Sequence, residues 1–219
     1  AADHAEVQAL SAPAGSQPPD IYYIIIDSYG RSDLLQRSFQ IDNSEFIAEL
    51  EGLGFYVADC AQSNYNRTEV SLASSLNMDY LQNLDDDFQP PNQGRATLGE
   101  AVTHSAVRAA LEGAGYKTVA FSTGFPWSEI DDADVFLEPS LPWSQINAFE
   151  ATLLRTTPLA LLPLEGEAQL DELEGELYRQ RTELIFDSME TLAKMPGPKF
   201  VFIHIIPPHP PFIYAADGS

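Results

Sequence analysis

Ile21-Tyr-Tyr-Ile-Ile-Ile-Asp27 is the stretch of this 219-residue chain that decides its fold class. The apolar residues follow one another without a polar interruption, and all of them are β-branched or aromatic. Such a run is typical of a strand that is buried on both faces, as the inner strands of parallel sheets are. We therefore predict a first strand here, ending in the polar turn Asp27-Ser-Tyr-Gly30.

Helix-like and strand-like segments alternate along the rest of the chain. The predicted helices lie at about 32–39, 44–53, 68–76, 98–113, 144–158 and 168–194. The predicted further strands lie at 55–58, 117–122, 134–137 and 199–206. This alternation predicts a mostly parallel sheet with helices on both faces, which is a three-layer α/β/α fold.

The chain divides into a short leading segment and one domain. Residues 1–19 are rich in Ala, Pro, Ser, Gln and Gly, which predicts a flexible linker, and residues 20–219 are expected to form the domain. The linker lacks the basic and apolar regions of a signal peptide, and no segment is apolar for long enough to span a bilayer. We therefore expect any membrane anchor to lie outside this chain.

The charge of the chain is strongly negative. Thirty-three acidic residues oppose 11 basic residues, which gives a net charge of −22 at pH 7. Such a surface repels phosphate backbones and excludes nucleic-acid binding as the expected function. The single cysteine, Cys60, excludes an internal disulfide. We interpret the acidity as a feature of solubility or of a salty habitat, with attraction of divalent cations as the alternative.

Three polar side chains are placed where the chemistry of a parallel sheet usually occurs. Asp27 ends the first strand, Thr68 begins a helix, and His209 follows the last strand. Because ligands bind beyond the carboxyl ends of parallel strands, we expect the three to converge. Asp27 is either a ligand for a hard metal ion or a cap for the next turn. Thr68 is expected at an N-cap, where free backbone N–H groups bind phosphate or sulfate; an ordinary cap is the alternative.

The two histidines of the last strand region have different surroundings. His209 lies in Pro207-Pro-His-Pro-Pro211, and the prolines stiffen the loop so that the imidazole is presented rather than packed. His204 lies between Ile203 and Ile205 inside the strand. We expect His204 to be a core histidine, with contact to the site as the alternative.

Four segments, in order, resemble those of a known family. They are 20–31, Asn64-Tyr-Asn-Arg-Thr-Glu-Val-Ser-Leu-Ala-Ser-Ser75, 115–127 and 202–212. They are similar to the metal-binding strand, the nucleophile segment, the next core strand with its aromatic loop, and the His-Pro-Pro loop of sulfatase-like domains in the alkaline phosphatase superfamily. The Thr68-x-x-Ser71 spacing is similar to that of phosphoethanolamine transferases and lipoteichoic acid synthases.

The resemblance implies a metal-dependent phosphoryl transferase or hydrolase acting on a phosphodiester, for example a lipid headgroup. Thr68 would be the nucleophile, and Asp27 with the Thr68 oxygen would bind a divalent ion: zinc, manganese, magnesium or calcium. His209, Trp127, Asn66 and His204 would contact the phospho- or sulfo-ester substrate. The resemblance also implies an extracytoplasmic location, periplasmic or at the cell surface, with a membrane tether outside this chain.

The chain departs from the family pattern in two ways. Family members complete the metal site with an Asp-His pair on a later strand, and nothing after His209 supplies one. We therefore expect a fragment whose native chain continues beyond Ser219, with an incomplete metal site, weak or absent metal binding and no turnover. In addition, Glu129 stands where lipoteichoic acid synthases have an arginine, and an acid there is expected to repel glycerol phosphate.

Two alternatives to a phosphotransferase remain. A sulfatase needs the motif C/S-x-P-x-R; Cys60-Ala-Gln-Ser-Asn64 lacks both Pro and Arg, and Ser63-Asn-Tyr-Asn-Arg67 keeps only the Arg. Ser63 is accordingly the second candidate for the nucleophile. The other alternative is a non-catalytic ligand-binding domain that keeps the fold without the metal.

Residues 153–164 are unusually apolar for a loop. We interpret them as an insertion packed on the domain. The alternative is a lipid-facing surface that brings the enzyme to a membrane.

Overall fold

The structure is a computed structural model; it describes residues 17–84, 95–140, 153, 156–157, 166–210, 212–215 and 218, and not the side chains of 95–96 and 166–174. Its four strands form one parallel sheet in the order β1-β4-β2-β3. The strands are β1 (Ile21–Ile26), β2 (Lys117–Phe121), β3 (Val135–Leu137) and β4 (Lys199–Ile205). The predicted α/β fold with a mostly parallel sheet is confirmed.

Seven described helices accompany the sheet. They are α1 (Ser32–Phe39), α2 (Ser44–Gly52), α3 (Thr68–Asn77), α4 (Leu81–Leu84), α5 (Arg95–Thr103), α6 (Ala106–Gly113) and α7 (Gly166–Lys194). The predictions for α1, α2, α3 and α7 agree with these bounds to within two residues.

Helices cover both faces of the sheet. On one face, a core formed around Phe200 and Phe202 of β4 packs against α3, α5 and α6. On the other face, Val201 and Ile203 pack against Ile185 and other residues of α7. Successive side chains of a strand point to opposite faces, so the continuous apolar run of β4 serves both cores.

The register of β1 and β4 places their carboxyl ends side by side. Ile21 lies opposite Phe200, and Ile26 lies opposite Ile205. The pairing extends one residue further, because the backbone N–H of Asp27 donates to the carbonyl of Ile205 over 2.8 Å. Asp27 is therefore fixed by the sheet rather than by a free loop.

Three predictions about elements are wrong. β1 is not buried on both faces. It pairs only with β4 within the described residues, and the side chain of Ile24 is half exposed. Residues 55–58 form no strand, because no described strand lies beside them and Tyr56 is 91% exposed. The helix predicted over 98–113 is two helices, since Ser105 begins α6 by accepting a hydrogen bond from the N–H of Arg108.

Some predictions concern residues outside the described part of the chain. These are most of the linker, most of the helix at 144–158 and nearly all of the apolar patch at 153–164. Among the described helices, none combines the length and the apolar character needed to cross a membrane.

Candidate functional site

A cavity of about 620 Å³ opens at the carboxyl end of β1. Five of the residues singled out from the sequence line it: Asp27, Ser63, Asn66, Thr68 and His209. They come from three separate parts of the chain, and the sheet and α3 bring them together. The expected convergence of residues 27, 68 and 209 is thus what the structure shows, while their chemical roles stay predictions.

The side chains of Thr68 and Asp27 are in direct contact at the wall of the cavity. The Thr68 Oγ1 hydroxyl donates to the Asp27 carboxylate, at 3.2 Å from Oδ1 and 3.4 Å from Oδ2. The predicted N-cap position is wrong by one residue, because Arg67 is the N-cap and Thr68 is the first residue of α3. The Thr68 hydroxyl thus contacts the Asp27 carboxylate and does not serve as the N-cap of α3.

The first turn of α3 supplies backbone donors beside the Thr68 hydroxyl. The N–H of Ser71 already donates to the carbonyl of Arg67, whereas the amides before it have no acceptor within the helix. Together with the helix dipole, such amides favour a bound anion. Arg67 and Glu69 also line the cavity, but they form an ion pair with each other and so largely cancel their charges.

The Asp27 carboxyl group has a pKa below its usual value. Burial raises the pKa, but the nearby His204 ring, the hydrogen bond from Thr68 and the charge of His209 together lower it by more. Asp27 is therefore ionised at neutral pH and can serve as an oxygen ligand or as an acceptor for the Thr68 proton.

His209 is exposed at the rim of the cavity. Its backbone N–H donates to the carbonyl of Ile206 over 2.9 Å, which closes a turn directly after β4. Its Nδ1 lies 2.7 Å from the carbonyl oxygen of Pro210, so Nδ1 carries a hydrogen and donates it. Nε2 is consequently the nitrogen that a ligand can engage.

Ser63 is a weaker candidate for the nucleophile than Thr68. Its Oγ donates to the carbonyl of Tyr65 over 2.6 Å and lies 2.7 Å from Oγ of Ser71. Neither partner is a base, whereas the Thr68 hydroxyl already donates to a carboxylate. The hydrogen-bond pattern therefore favours Thr68 over Ser63 as the group to be activated.

His204 and Trp127 lie behind Asp27 and do not line the cavity. The His204 side chain is completely buried, with Nε2 at 3.5 Å from Oδ2 of Asp27. The Trp127 ring packs against the His204 ring at a centroid distance of 5.5 Å. The geometry thus supports a contact of His204 with Asp27 and gives no support to the expected contact of His204 and Trp127 with substrate.

Glu129 also does not line the cavity. Its carboxylate accepts hydrogen bonds from the hydroxyl of Ser122, from the N–H and hydroxyl of Thr123 and from the N–H of Gly124, at 2.8–3.1 Å. The structure gives no support to the expected repulsion of glycerol phosphate by this acid, because the Glu129 carboxylate is engaged in the hydrogen bonds that hold the loop after β2. The Ser-Thr-Gly run followed by an acid five residues later could have indicated this anchor.

The described residues fit a divalent cation only in part. Asp27 and Thr68 offer oxygen atoms to a hard ion, but no group of three or more His, Cys, Asp or Glu side chains in the described ranges could hold a metal. Magnesium and similar ions are often held by one or two carboxylates, with waters and substrate phosphates completing the shell. Asp27 therefore suits an ion bound jointly with an anionic substrate.

No known protein family, curated protein or solved structure matches this chain. The function has to be argued from the geometry of the cavity and from the sequence resemblance described above.

Proposed function

We propose that this chain belongs to a sulfatase-like catalytic domain of the alkaline phosphatase superfamily, with its three-layer α/β/α fold, and that the domain transfers or hydrolyses a phosphodiester. One observation carries the proposal: the Thr68 hydroxyl, at the start of α3, donates to Asp27 and opens onto the cavity that His209 also lines. A nucleophile, a carboxylate and an imidazole then surround one space at the carboxyl edge of a parallel sheet.

The residues of the cavity have complementary roles in such a reaction. The Thr68 oxygen attacks phosphorus, its proton passes along the existing hydrogen bond toward Asp27, and the bond to the leaving oxygen breaks. The first-turn amides of α3 would stabilise the phosphoryl oxygens, and the protonated ring of His209 would donate a hydrogen bond from Nε2–H to the leaving oxygen. Water or an acceptor alcohol then takes the group from Thr68. A divalent cation on Asp27 and Thr68 would lower the pKa of the hydroxyl.

The acidic composition and the resemblance bear on the setting of this reaction. The net charge of −22 favours a small ester over a polyanion as the substrate. The extracytoplasmic location and the use of a lipid headgroup rest on the resemblance alone. Both belong to the proposal and do not affect the geometry that carries it.

Trapping of the covalent intermediate tests the proposal. The chain is incubated with Mn²⁺ or Zn²⁺ and bis(para-nitrophenyl) phosphate, and its intact mass is measured. We expect one equivalent of nitrophenolate to be released slowly and one nitrophenyl phosphate group to be attached in the wild type, because the adduct needs a single attack by Thr68 and no turnover. The adduct should disappear in Thr68→Ala and persist in Ser63→Ala. Loss in Ser63→Ala alone would transfer the nucleophilic role to Ser63.

A non-catalytic binding domain is the second candidate function. It is favoured by the lack of three metal-ligating side chains together in the described part of the chain. This candidate predicts that the wild type forms no adduct but still binds inorganic phosphate or sulfate in the cavity, with weaker binding in Thr68→Ala. A sulfatase would instead release para-nitrophenol from para-nitrophenyl sulfate through Ser63.

A further inference from the structure

His204 is a buried histidine with unused hydrogen-bonding atoms. Its side chain has no exposed surface, and neither Nδ1 nor Nε2 has a hydrogen-bond partner among the described residues. Leaving a buried polar group unpaired is unfavourable, because the group gives up its hydrogen bonds to water without replacement. The neighbouring positions of β4 that share its face, Phe200 and Phe202, are apolar, so an apolar residue is compatible with this part of the strand. An unpaired polar atom at such a position calls for a specific explanation.

The position of His204 is set by the sheet. His204 lies opposite Ile25 in the parallel register, and Asp27 follows two residues later on the same side of β1. This places Nε2 at 3.5 Å from Oδ2 of Asp27, which is a little beyond hydrogen-bond distance. The Trp127 ring packs against the imidazole. A movement of about half an ångström of either side chain would complete the hydrogen bond.

The two oxygens of Asp27 have different neighbours. Oδ1 is the nearer acceptor for the Thr68 hydroxyl, at 3.2 Å, and Oδ2 is the atom that faces His204. A carboxylate with one free rotation about its last bond needs a second anchor if one oxygen is to stay directed at the nucleophile. Carboxylates at metal and catalytic sites commonly have such a partner behind them.

We propose that His204 is a positioning residue: its Nε2–H donates to Oδ2 of Asp27 and directs Oδ1 toward Thr68. The hydrogen bond is a property of the folded chain, and only its catalytic consequence rests on the proposed function. His204 therefore acts through Asp27 and does not touch the substrate. The Trp127 ring packs against the imidazole and helps to hold it in place.

The hydrogen bond can be detected without any substrate. The chain contains four histidines, so long-range proton–nitrogen correlation spectra of the ¹⁵N-labelled protein resolve the tautomer of each ring. We expect His204 to be the Nε2–H tautomer with a slowly exchanging hydrogen. Asp27→Ala should shift its Nε2 resonance, and Ser63→Ala, which alters another side chain of the same cavity, should not. An Nδ1–H tautomer, or a resonance that Asp27→Ala leaves unchanged, would overturn the proposal.

The catalytic consequence is tested with two substitutions of His204. Glutamine can place an N–H close to the position of Nε2, whereas leucine removes the donor. In the adduct assay we expect His204→Leu to react about 10–100-fold more slowly than the wild type and His204→Gln to recover most of the loss. Equal rates in His204→Leu and the wild type would contradict the positioning role. If the wild type forms no adduct, the proposed function fails while the tautomer measurement still decides the hydrogen bond.

Discussion

Two polar clusters lie at opposite ends of the sheet, and they differ in how completely their hydrogen bonds are made. In the Arg108 cluster, the five guanidinium N–H groups of Arg108 donate to Glu112, to the carbonyl of Thr103 and to the carboxylate and carbonyl of Asp132. Glu112 accepts a further bond from Thr118 over 2.7 Å. No donor of Arg108 is left for a ligand.

In the Asp27 cluster, by contrast, every contact of the Asp27 carboxylate with Thr68 and His204 is long. The distances from Asp27 are 3.2 and 3.4 Å to Thr68 and 3.5 Å to His204, and the His204 nitrogens have no hydrogen-bond partner within the described chain. The Arg108 cluster joins α6 to the amino ends of β2 and β3, whereas the Asp27 cluster lies at the carboxyl ends of β1 and β4. A saturated cluster stabilises the fold, and an unsaturated one at the ligand-binding edge has atoms available for chemistry.

The largest effect is expected from Arg108→Met. The side chain of Arg108 is only 9% exposed, and its removal leaves the Thr103 carbonyl and two carboxylates without their partner. Because both carboxylates are partly solvated, we expect a loss of about 3 kcal/mol in the free energy of unfolding, measured with urea, and not more. The control is Arg37→Met on the exposed side of α1, which should change stability by less than about 0.5 kcal/mol. If Arg108→Met lowers the free energy of unfolding as little as Arg37→Met does, then Arg108 does not stabilise the fold.

A second, smaller effect tests the support of the Asp27 cluster. Gly124, in the loop that carries Trp127, has φ +79°, and a Cβ there would lie 2.5 Å from Nη1 of Arg181. Gly197 has nearly the same φ, +86°, but open space around it. We expect Gly197→Ala to cost about 1 kcal/mol through backbone strain alone and Gly124→Ala about 1–2 kcal/mol more. Similar unfolding free energies of the two variants would mean that Arg181 moves aside without cost.

Much of the Asp27 cluster could be predicted from the sequence because its geometry follows from local rules. The apolar run before Asp27 predicts a strand, the polar stretch before Thr68 predicts the start of a helix, and parallel strands bring their carboxyl ends to one edge. These rules place backbones. They do not reveal that the side chain of His204 lies behind Asp27, since that depends on the pairing of strands separated by most of the chain.

The remaining errors also concern partners that are distant in the sequence. β1 has the pattern of an inner strand, but it lies at the edge of the described sheet, and the strand order depends on segments that are distant in the sequence. Residues 55–58 have strand-like composition and no strand beside them within the described residues. The role of Glu129 depends on a loop conformation that returns backbone N–H groups to its carboxylate. Composition and spacing do not contain this information.

Acid is expected to weaken the Arg108 cluster. Hydrogen bonds from Arg108 lower the pKa of Asp132. Burial raises the pKa of Glu112, but the hydrogen bonds from Arg108 and Thr118 lower it by more, so that its pKa also lies below the usual value. A pKa that is lower in the folded state stabilises the protein above the unfolded value and loses this contribution as the pH falls through the folded value.

The stability difference between the wild type and Asp132→Asn should therefore be present at pH 7 and shrink below about pH 4. Urea unfolding at several pH values measures it. The comparison with Asp132→Asn is necessary because protonation of the many other carboxylates reduces the repulsion within this acidic chain, which acts in the opposite direction. The effect should be smaller than that of Arg108→Met, since the Asp132 side chain is about half exposed. A difference that grows in acid would contradict the assignment.

The smallest effect on stability is expected from His204→Leu. The substitution removes the proposed hydrogen bond to Asp27, but it also removes the cost of burying a polar ring that has no partner within hydrogen-bond distance among the described residues, and the two changes oppose each other. The free energy of unfolding should therefore change by less than about 1 kcal/mol. Arg108→Met, also a buried polar-to-apolar change, should lower it. If His204→Leu is destabilised as strongly as Arg108→Met, then His204 belongs to a saturated cluster as well, and the distinction between a structural and a functional end of the sheet no longer holds. If stability is kept while the adduct forms slowly, His204 contributes to the orientation of Asp27 and not to the stability of the fold.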